Sequence, residues 1–426
     1  MSSGRKPDER WAKLRARGER FTTRDAEAIG LSAPVLTQAI SRGQIERRAR
    51  GQYEFVADYR PATAAKPGPR KRARQAPLAV LRLESFSVFE QASFEFCPGV
   101  NVLIGENGTG KSHAMLAAYS ILRAFHKGDS PSGVNARIQE KLKGVFQPQD
   151  RQLGRLVRRA RGGGVAKIDV ESGGFSCAIR FTHRESDDFA TTQIRHHPTG
   201  SSIFIPSREP LAMYEGFIGA YQHSELSFSE VYYDTCVALN APLTKGVRKA
   251  DAQKLLEPLL DALGGRVFQK SGRFYVEQGN AQLEAHLVSE GLRKLATITH
   301  LINNGSLEEN DILFWDEPEA NLNPALSRVV VHFLVELAKR GVQVILATHD
   351  YAVTTRLSIL AENGLVEPDL LRFFSLVRTG GKTGPVAVSH ADTLAGLPAN
   401  PILDEHEALY DFELAGGKPA PAGGKP

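Results

Sequence analysis

Apolar and polar positions alternate with different periods in different parts of the chain. From about residue 78 to residue 414, short β-branched apolar runs alternate with segments of helical periodicity, which predicts an α/β domain with a mostly parallel sheet. Residues 1–58 have the pattern of a small domain with three helices and a hairpin. Residues 59–77 form a basic linker rich in proline and alanine, and we expect the Gly/Pro-rich residues 415–426 to be disordered.

The small domain is predicted to be a winged helix-turn-helix. Residues 21–23 provide a helix N-cap, Pro34 falls in the first turn of a later helix, and residues 44–55 alternate around Gly51 like a hairpin. The segment from Phe21 to Phe55 resembles the N-terminal winged-helix domain of abortive-infection antitoxins. That resemblance implies binding to double-stranded DNA, with protein contact as the alternative. The residues expected to contact DNA are Thr37, Gln38, Arg42, Arg47, Arg48 and Arg50.

The charge of the chain is unevenly distributed. Residues 1–76 contain 18 Lys+Arg against 8 Asp+Glu, a net charge of +10, whereas the remainder has a net charge of −5. This basic segment favours nucleic acid as a partner, since Lys and Arg neutralise phosphates. A second basic group is interpreted as a solvated helix face, with a DNA track as the alternative. Its members are Lys141, Lys143, Arg151, Arg155, Arg158, Arg159 and Arg161.

The composition excludes several classes of protein. No run approaches the roughly 20 apolar residues that a membrane helix requires, and the basic start has no apolar segment typical of a signal peptide. Cys97, Cys177 and Cys236 are isolated, which argues against a zinc hook or a disulfide framework. We therefore expect a protein of the reducing cytoplasm that does not bind membranes.

A glycine-rich motif predicts a nucleotide site. The apolar residues 101–104 are typical of a buried strand and run directly into a complete G-x-x-x-x-G-K-[ST] motif, which an amphipathic helix follows. The glycines let backbone N–H groups surround phosphate oxygens, Lys111 is expected to reach the β- and γ-phosphates, and Ser112 to bind Mg²⁺. We call these residues the glycine loop: Gly105, Glu106, Asn107, Gly108, Thr109, Gly110, Lys111 and Ser112. A similar triplet, residues 381–383, lacks the earlier glycine and is interpreted as a hairpin turn.

A second motif supplies the carboxylates that ATP hydrolysis requires. Four apolar residues, 312–315, predict a central strand that ends in Asp316 and Glu317. Asp316 is expected to hold Mg²⁺, directly or through water, and Glu317 to act as the general base that polarises the attacking water.

The next motif indicates which class of P-loop enzyme this is. Ser289 precedes Asp316 by 316 − 289 = 27 residues, and Gly291 follows Ser289 two residues later. They are similar to a degenerate signature motif of ABC-type ATPases, at a spacing close to that of the family. Glu290 replaces a glycine of that motif and Leu292 replaces a glutamine. Such departures are rare in transporters and common in the branch that acts in DNA repair and defence.

Two later motifs complete the series. Residues 319–324 look like the D-loop of ABC-type ATPases. An apolar run, residues 342–347, then leads to His349, which follows Glu317 at the distance where the family has its switch histidine.

As a set, these motifs resemble the compact ABC-class AAA ATPases related to RecF, to the overcoming-lysogenization-defect nucleases and to the ATPase subunit of PARIS-type phage-defence systems. Residues 205–209, 289–296 and 314–324 carry this resemblance. It implies an ABC-type P-loop ATPase head with a helical lid. It also implies a head-to-tail homodimer in which Ser289 and Gly291 of one protomer contact the γ-phosphate bound by the other.

The lid is expected to be an insertion of about residues 126–285, β-rich with a helical part and without the heptads of a coiled coil. Its glutamine would bind nucleotide and Mg²⁺. Gln147, at a suitable distance after Lys111, is the candidate, with Gln149 and Gln152 as alternatives. The segment after His349 is too short for a Toprim nuclease domain, so a nuclease or toxin effector is expected to be a separate protein.

The predicted function is an ATP-dependent switch that binds ATP and Mg²⁺ and acts on or near DNA in phage defence or genome maintenance. The first alternative is a DNA-binding transcriptional regulator for which ATP is only an allosteric ligand. A transporter subunit is the remote alternative. Glu317 favours the first function, because a module that only binds ATP needs no general base.

Overall fold

A computed structural model describes residues 74–125, 133–159, 164–183, 189–196, 198, 200–223, 226–243, 247–381 and 384–414, together with 11, 14–16, 18, 20–22, 25–26, 45–49 and 52–55. The chain separates into two compact units. One comprises residues 1–67 with 403–426, and the other comprises residues 68–402. The larger unit confirms the predicted α/β class.

A six-stranded sheet forms the centre of the larger unit. The strand order is β10-β14-β15-β6-β16-β17, and all neighbours are parallel except β16 and β17. The strands are β6 Val100–Gly105, β10 Ser202–Ile205, β14 Ile312–Asp316, β15 Gln343–Ala347, β16 Leu371–Arg378 and β17 Val386–Ala391. The last pair confirms the hairpin predicted around residues 381–383, although residues 382 and 383 lie outside the described part.

Alternate residues of the central strands pack into two separate cores. On β14, Leu313 and Trp315 join one core, and Ile312 and Phe314 join the other. Helices between residues 217 and 362 complete the first core, and helices between residues 111 and 146 complete the second together with a further sheet. The helices are α1 Lys111–Arg123, α2 Val134–Phe146, α3 Phe217–His223, α4 Glu230–Leu239, α5 Val247–Leu263, α6 Glu290–Asn303, α7 Pro324–Lys339, α8 Tyr351–Glu362 and α9 Pro401–Leu414.

The further sheet is antiparallel, with the order β5-β4-β7-β8-β9. Its strands are β4 Val80–Phe86, β5 Phe89–Glu95, β7 Val165–Ser172, β8 Phe175–Thr182 and β9 Ala190–Arg195. A small sheet of β11 Val267–Lys270, β12 Arg273–Gln278 and β13 Ala281–Glu284 precedes α6. The expected β-rich lobe is therefore built from strands on both sides of the glycine loop. The segment expected to be an insertion also contributes β10 to the central sheet, beside β14.

The smaller unit contains the predicted hairpin. β2 Ile45–Ala49 and β3 Gln52–Phe55 are antiparallel, and β1 Arg20–Thr22 pairs with β3. Within residues 21–23, where an N-cap was predicted, the Thr22 hydroxyl accepts a hydrogen bond from the Asp25 amide at 3.3 Å. Arg48 pairs with Glu54 on the neighbouring strand. Thr37, Gln38, Arg42 and Arg50 lie outside the described residues, so the winged helix as a whole stays a prediction.

Among the residues that the structure describes, no helix combines the length and the apolar character needed to cross a bilayer.

Candidate nucleotide site

The carboxyl ends of four parallel strands bring the predicted motifs to one edge of the central sheet. β6 ends at the glycine loop, β14 ends at Asp316, and β15 ends at Ala347, directly before Thr348 and His349. In open α/β sheets, this edge is where ligands bind. β10 ends beside β14, with Ile205 paired to Trp315, so residues 206–209 follow at the same edge.

Close packing explains the glycines of the glycine loop. A Cβ atom on Gly105 would lie 2.5 Å from the carbonyl oxygen of Leu376, and one on Gly110 would lie 2.6 Å from the Val88 side chain. Gly110 is also the N-cap of α1 and has φ of 91°, a conformation that side chains disfavour. The loop therefore needs glycine for space as well as for backbone freedom.

Lys111 folds back over the loop that precedes it. Its Nζ donates to the carbonyl oxygens of Gly105, at 2.8 Å, and Glu106, at 3.0 Å. Burial lowers the pKa of this lysine to about 8, and Asp316 and Glu317 oppose that shift. The ammonium group is thus held within the loop rather than in solvent.

The two predicted magnesium ligands are in direct contact. The Ser112 hydroxyl donates to Oδ2 of Asp316 at 2.8 Å. Burial raises the pKa of Asp316 to about 6, while the Ser112 hydrogen bond and Lys111 favour its ionised form. A hydroxyl and a carboxylate side by side are hard oxygen donors, the type that Mg²⁺ prefers. No larger cluster of metal-binding side chains occurs in the described part of the chain.

Glu317 has an unusual backbone conformation for a glutamate, with φ of 48°. Its amide donates to the Ala347 carbonyl on β15 at 2.9 Å. Its own carbonyl oxygen accepts from Nζ of Lys294 at 2.9 Å and from the Ala320 amide at 3.1 Å. These three hydrogen bonds fix the backbone of Glu317, which carries the carboxylate.

His349 is placed by a third carboxylate, Glu319. Oε1 of Glu319 accepts from the Thr348 hydroxyl at 2.7 Å and from the His349 amide at 3.2 Å. Burial and the charge of Lys111 lower the pKa of His349, and Glu317 opposes them. Its imidazole is therefore favoured in the neutral form, within electrostatic reach of both Lys111 and Glu317.

Ser289 begins helix α6 as its N-cap, and its hydroxyl makes no capping hydrogen bond. Two residues later, Gly291 packs tightly against residues of the expected D-loop. A Cβ atom on Gly291 would lie 2.5 Å from the Asn321 carbonyl oxygen and 2.9 Å from the Leu322 side chain. The two residues predicted to act together thus have different surroundings, since Gly291 is enclosed and the Ser289 hydroxyl has no partner within its helix.

Gln147 is less closely connected to the site. It is the C-cap of α2, with φ of 47°, and its side chain donates to the Gly144 carbonyl at 3.0 Å. The neighbouring Phe146 ring contacts the His113 ring on α1, with the centroids 5.4 Å apart. Within the described residues, no hydrogen bond joins Gln147 to Ser112 or Asp316, and its role as a ligand stays a prediction.

Three members of the basic group on the lid are paired with acidic residues. Lys141 contacts both Glu230 and Asp234, while Lys143 and Arg151 share Glu140. Carboxylates therefore compensate these three cations, and the two interpretations of the group, a solvated helix face and a DNA track, both stay predictions. Arg161 lies outside the described residues.

Three residues at the site were not predicted from the sequence: Lys294, Glu319 and Arg378. The Arg378 guanidinium donates to the carbonyl oxygens of Gly108 and Gly384, so it joins the glycine loop to the β16–β17 hairpin. Lys294 had a detectable signal, because it is a charged residue on the apolar face of α6. No comparable pattern marks Arg378, whose contact depends on the pairing of β16 with β6.

The chain is similar to known proteins over part of its length. Residues 166–355 match the family described as "AAA domain, putative AbiEii toxin, Type IV TA system". A "Putative ABC transporter ATP-binding protein" of Caldanaerobacter subterraneus subsp. tengcongensis is 26% identical over 144 residues. That alignment covers 34% of this chain and 51% of the relative, so the chain spans about half the length of the curated protein that it matches.

Solved structures provide further comparisons. The SMC head domain from Thermotoga maritima is 12% identical, with a TM-score of 0.41 over 74% of this chain and 98% of that one. The Smc head domain bound to the C-terminal domain of ScpA, from Pyrococcus furiosus, is 13% identical, with a TM-score of 0.42 over 79% and 99%.

Proposed function

We propose that this chain, which has the fold of the AAA-type, ABC-class P-loop ATPases, hydrolyses ATP with Mg²⁺ and acts as a nucleotide-dependent switch on or near DNA. One observation carries the enzymatic part of this proposal. The Ser112 hydroxyl and the Asp316 carboxylate, on separate motifs, meet at 2.8 Å beside Lys111 and Glu317.

The residues present fit Mg-ATP. The backbone N–H groups of the glycine loop and the N-terminus of α1 form a site for phosphate oxygens. Lys111 would supply a positive charge to the β- and γ-phosphates, and Ser112 and Asp316 would hold the cation. When bound, Mg²⁺ neutralises phosphate charge as the terminal P–O bond breaks.

Hydrolysis requires a base and a group that senses the γ-phosphate. Glu317 accepts a proton from water as the water oxygen attacks the γ-phosphorus, and ADP leaves with the electrons of the broken bond. Neutral His349 donates a hydrogen bond to a γ-phosphate oxygen. Gln147 is proposed to reach Mg²⁺ and nucleotide from the lid.

The site is proposed to be completed by a second copy of the chain. The Ser289 hydroxyl has no partner in its own helix cap, and it stands at the N-terminus of a 14-residue helix, an arrangement that suits an anion. In a head-to-tail dimer, Ser289 and Gly291 of one protomer would close over the γ-phosphate held by the glycine loop of the other.

The biological role is proposed from the smaller unit and from the family match. The net charge of +10 over residues 1–76 supports contact with double-stranded DNA through a winged helix. The description of the matching family, which names a toxin of a Type IV TA system, supports a role in phage defence. We propose that a separate nuclease or toxin is the effector.

The test is ATP hydrolysis by the purified full chain with and without double-stranded DNA. We expect Mg²⁺-dependent release of phosphate, and loss of nucleotide binding or turnover in Lys111→Ala. A chain that binds ATP but releases no phosphate in either condition would contradict the hydrolytic function and favour the regulator that uses ATP as an allosteric ligand.

A further inference from the structure

Lys294 is a lysine with no solvent-exposed surface. It lies in the first turns of α6, shortly after Ser289, and its relative exposure is 0%. The only hydrogen bond from its side chain to a described residue is the one from Nζ to the Glu317 carbonyl oxygen, 2.9 Å long. Burying an ammonium group is costly unless it serves a specific interaction, and here that interaction is with the backbone of the proposed base.

The partner of Lys294 is itself in a conformation that side chains avoid. Glu317 has φ of 48°, in the left-handed region, and such a residue persists only where its surroundings hold it. Its amide is held by Ala347, and its carbonyl oxygen by Lys294 and Ala320. Of these three contacts, only that of Lys294 comes from a side chain, and only it comes from α6.

Two other contacts fix the same turns of α6 to the site edge. Gly291 packs on the Asn321 carbonyl, which follows β14. Arg293 pairs with Glu209, a buried carboxylate in the segment that follows β10. The start of α6 is therefore attached to the ends of both β10 and β14. A displacement of the Ser289 end of the helix would be transmitted to these strand ends, since the intervening side chains are closely packed.

We propose that Lys294 is a positioning residue that sets the direction of the Glu317 carboxylate and makes it depend on what Ser289 binds. This inference rests on the proposed ATPase function. In the proposed dimer, Ser289 contacts the γ-phosphate held by the partner, whereas Lys294 holds the base of its own protomer. Occupation of one nucleotide site would then align the base of the other.

The experiment compares Lys294→Met, which removes the donor, with Lys294→Gln, which keeps an N–H donor without the charge. Lys339→Met, on the partly exposed surface of α7, is the matched control. We expect kcat for ATP to fall by about 10- to 100-fold in the Met variant, because a misaligned catalytic group of this kind costs up to about 100-fold. KM and the Kd for a non-hydrolysable ATP analogue should change little, and the Gln variant should recover part of kcat.

A double-mutant cycle tests the link to Ser289. If Lys294 acts through α6, the effects of Ser289→Ala and Lys294→Met on kcat should be non-additive, because residues in one network couple. Additive effects would contradict the proposed coupling between Ser289 and Glu317 through α6. A folded Lys294→Met protein with unchanged kcat would overturn the whole inference. If the Met variant does not fold, the Gln variant takes its place in the cycle. A parallel loss of analogue binding and kcat would indicate a purely structural lysine.

The outcomes that contradict the role of Lys294 can be distinguished from those that contradict the proposed ATPase function. A wild-type chain that hydrolyses no ATP would contradict both proposals. A wild-type ATPase whose turnover is insensitive to Lys294 would contradict this inference alone.

Discussion

The Ser112 hydroxyl donates a hydrogen bond to Oδ2 of Asp316 at 2.8 Å, although 204 residues separate them in the chain. The contact joins the first turn of α1 to the carboxyl end of β14. Since Ser112 lies within α1 and Asp316 is the last residue of β14, their relative position is fixed by the packing of the helix on the sheet rather than by flexible loops. The consequences of this arrangement can be measured for each motif separately.

Glu317→Gln should trap an ATP-bound dimer. Phosphate and Mg²⁺ contacts remain while proton abstraction is lost, and a general base contributes roughly 100- to 10,000-fold to rate. Phosphate release and light scattering in the presence of ATP would show low turnover together with a larger dimer fraction. Glu367→Gln, an exposed change on the surface, is the control. Turnover at the wild-type rate in the Glu317 variant would show that another group is the base.

Ser289 should act on the nucleotide of the partner protomer. Lys111→Ala and Ser289→Arg proteins should each be inactive, and a mixture should regain part of the activity, because one of the two composite sites in a mixed dimer is intact. Activity is measured as a function of mixing ratio, with mixed dimers verified by differently tagged chains. Mixed dimers without recovered activity would contradict the head-to-tail arrangement.

Asp316→Asn should stabilise the nucleotide-free protein at pH 8. The folded-state pKa of Asp316 is raised to about 6 from 3.8, so its contribution to stability is present below the unfolded value and is lost as the pH rises through about 6. Removing the ionised group should therefore raise the free energy of unfolding by about 1–3 kcal/mol at pH 8 and by less at pH 5. Urea unfolding without Mg²⁺ measures this difference, and Asp369→Asn, an exposed carboxylate, should show none.

Gly291→Ala should destabilise the larger unit by about 1–3 kcal/mol, because overpacking forces the backbone apart. The new Cβ atom would meet the Asn321 carbonyl oxygen at 2.5 Å. Gly219→Ala is the matched control, since a Cβ atom there has no neighbour within 4 Å and alanine favours the helix. Chemical unfolding of both variants gives the comparison, and equal stabilities would show that α6 can shift away from residue 321 at no cost.

Removing residues 1–73 should weaken DNA binding and leave basal ATP hydrolysis intact. This truncation keeps Arg74, whose guanidinium donates to the Lys339 carbonyl at 2.8 Å. The slope of log K against log salt should become less negative by about 0.9 for each lost phosphate contact. Binding titrations at several salt concentrations compare the intact and truncated chains. Equal slopes would indicate that the smaller unit contacts protein.

The glycine loop, Asp316 and His349 could be predicted from the sequence because each follows directly from its own buried strand. An apolar strand pattern and the residues that follow it can be recognised from a short stretch of sequence. Parallel strands then bring these residues together, because their carboxyl ends lie at the same edge of the sheet. The N-cap within residues 21–23 and the hairpin at residues 44–55 were also predicted from local signals, namely capping residues and alternation around Gly51.

β10 and Lys294 show what local reasoning could not give. β10 is short, and its place beside β14 depends on pairing with a strand far along the chain. The contact of Lys294 depends on where α6 crosses the strand ends, which periodicity does not specify. The contacts of Glu319 and Arg378 likewise depend on which strands are neighbours in the sheet, and local sequence does not specify that order.

The position of β6 has a consequence for synthesis of the chain. Val100 pairs with Val344 on one side and with Leu371 on the other, so both neighbours of the strand that carries the glycine loop are synthesised long after it. A chain emerging from the ribosome would display the complete glycine loop before the strands that hold it in shape have been made. Nucleotide binding would thus begin only when β15 and β16 have been made, and such long-range pairing is slow to form.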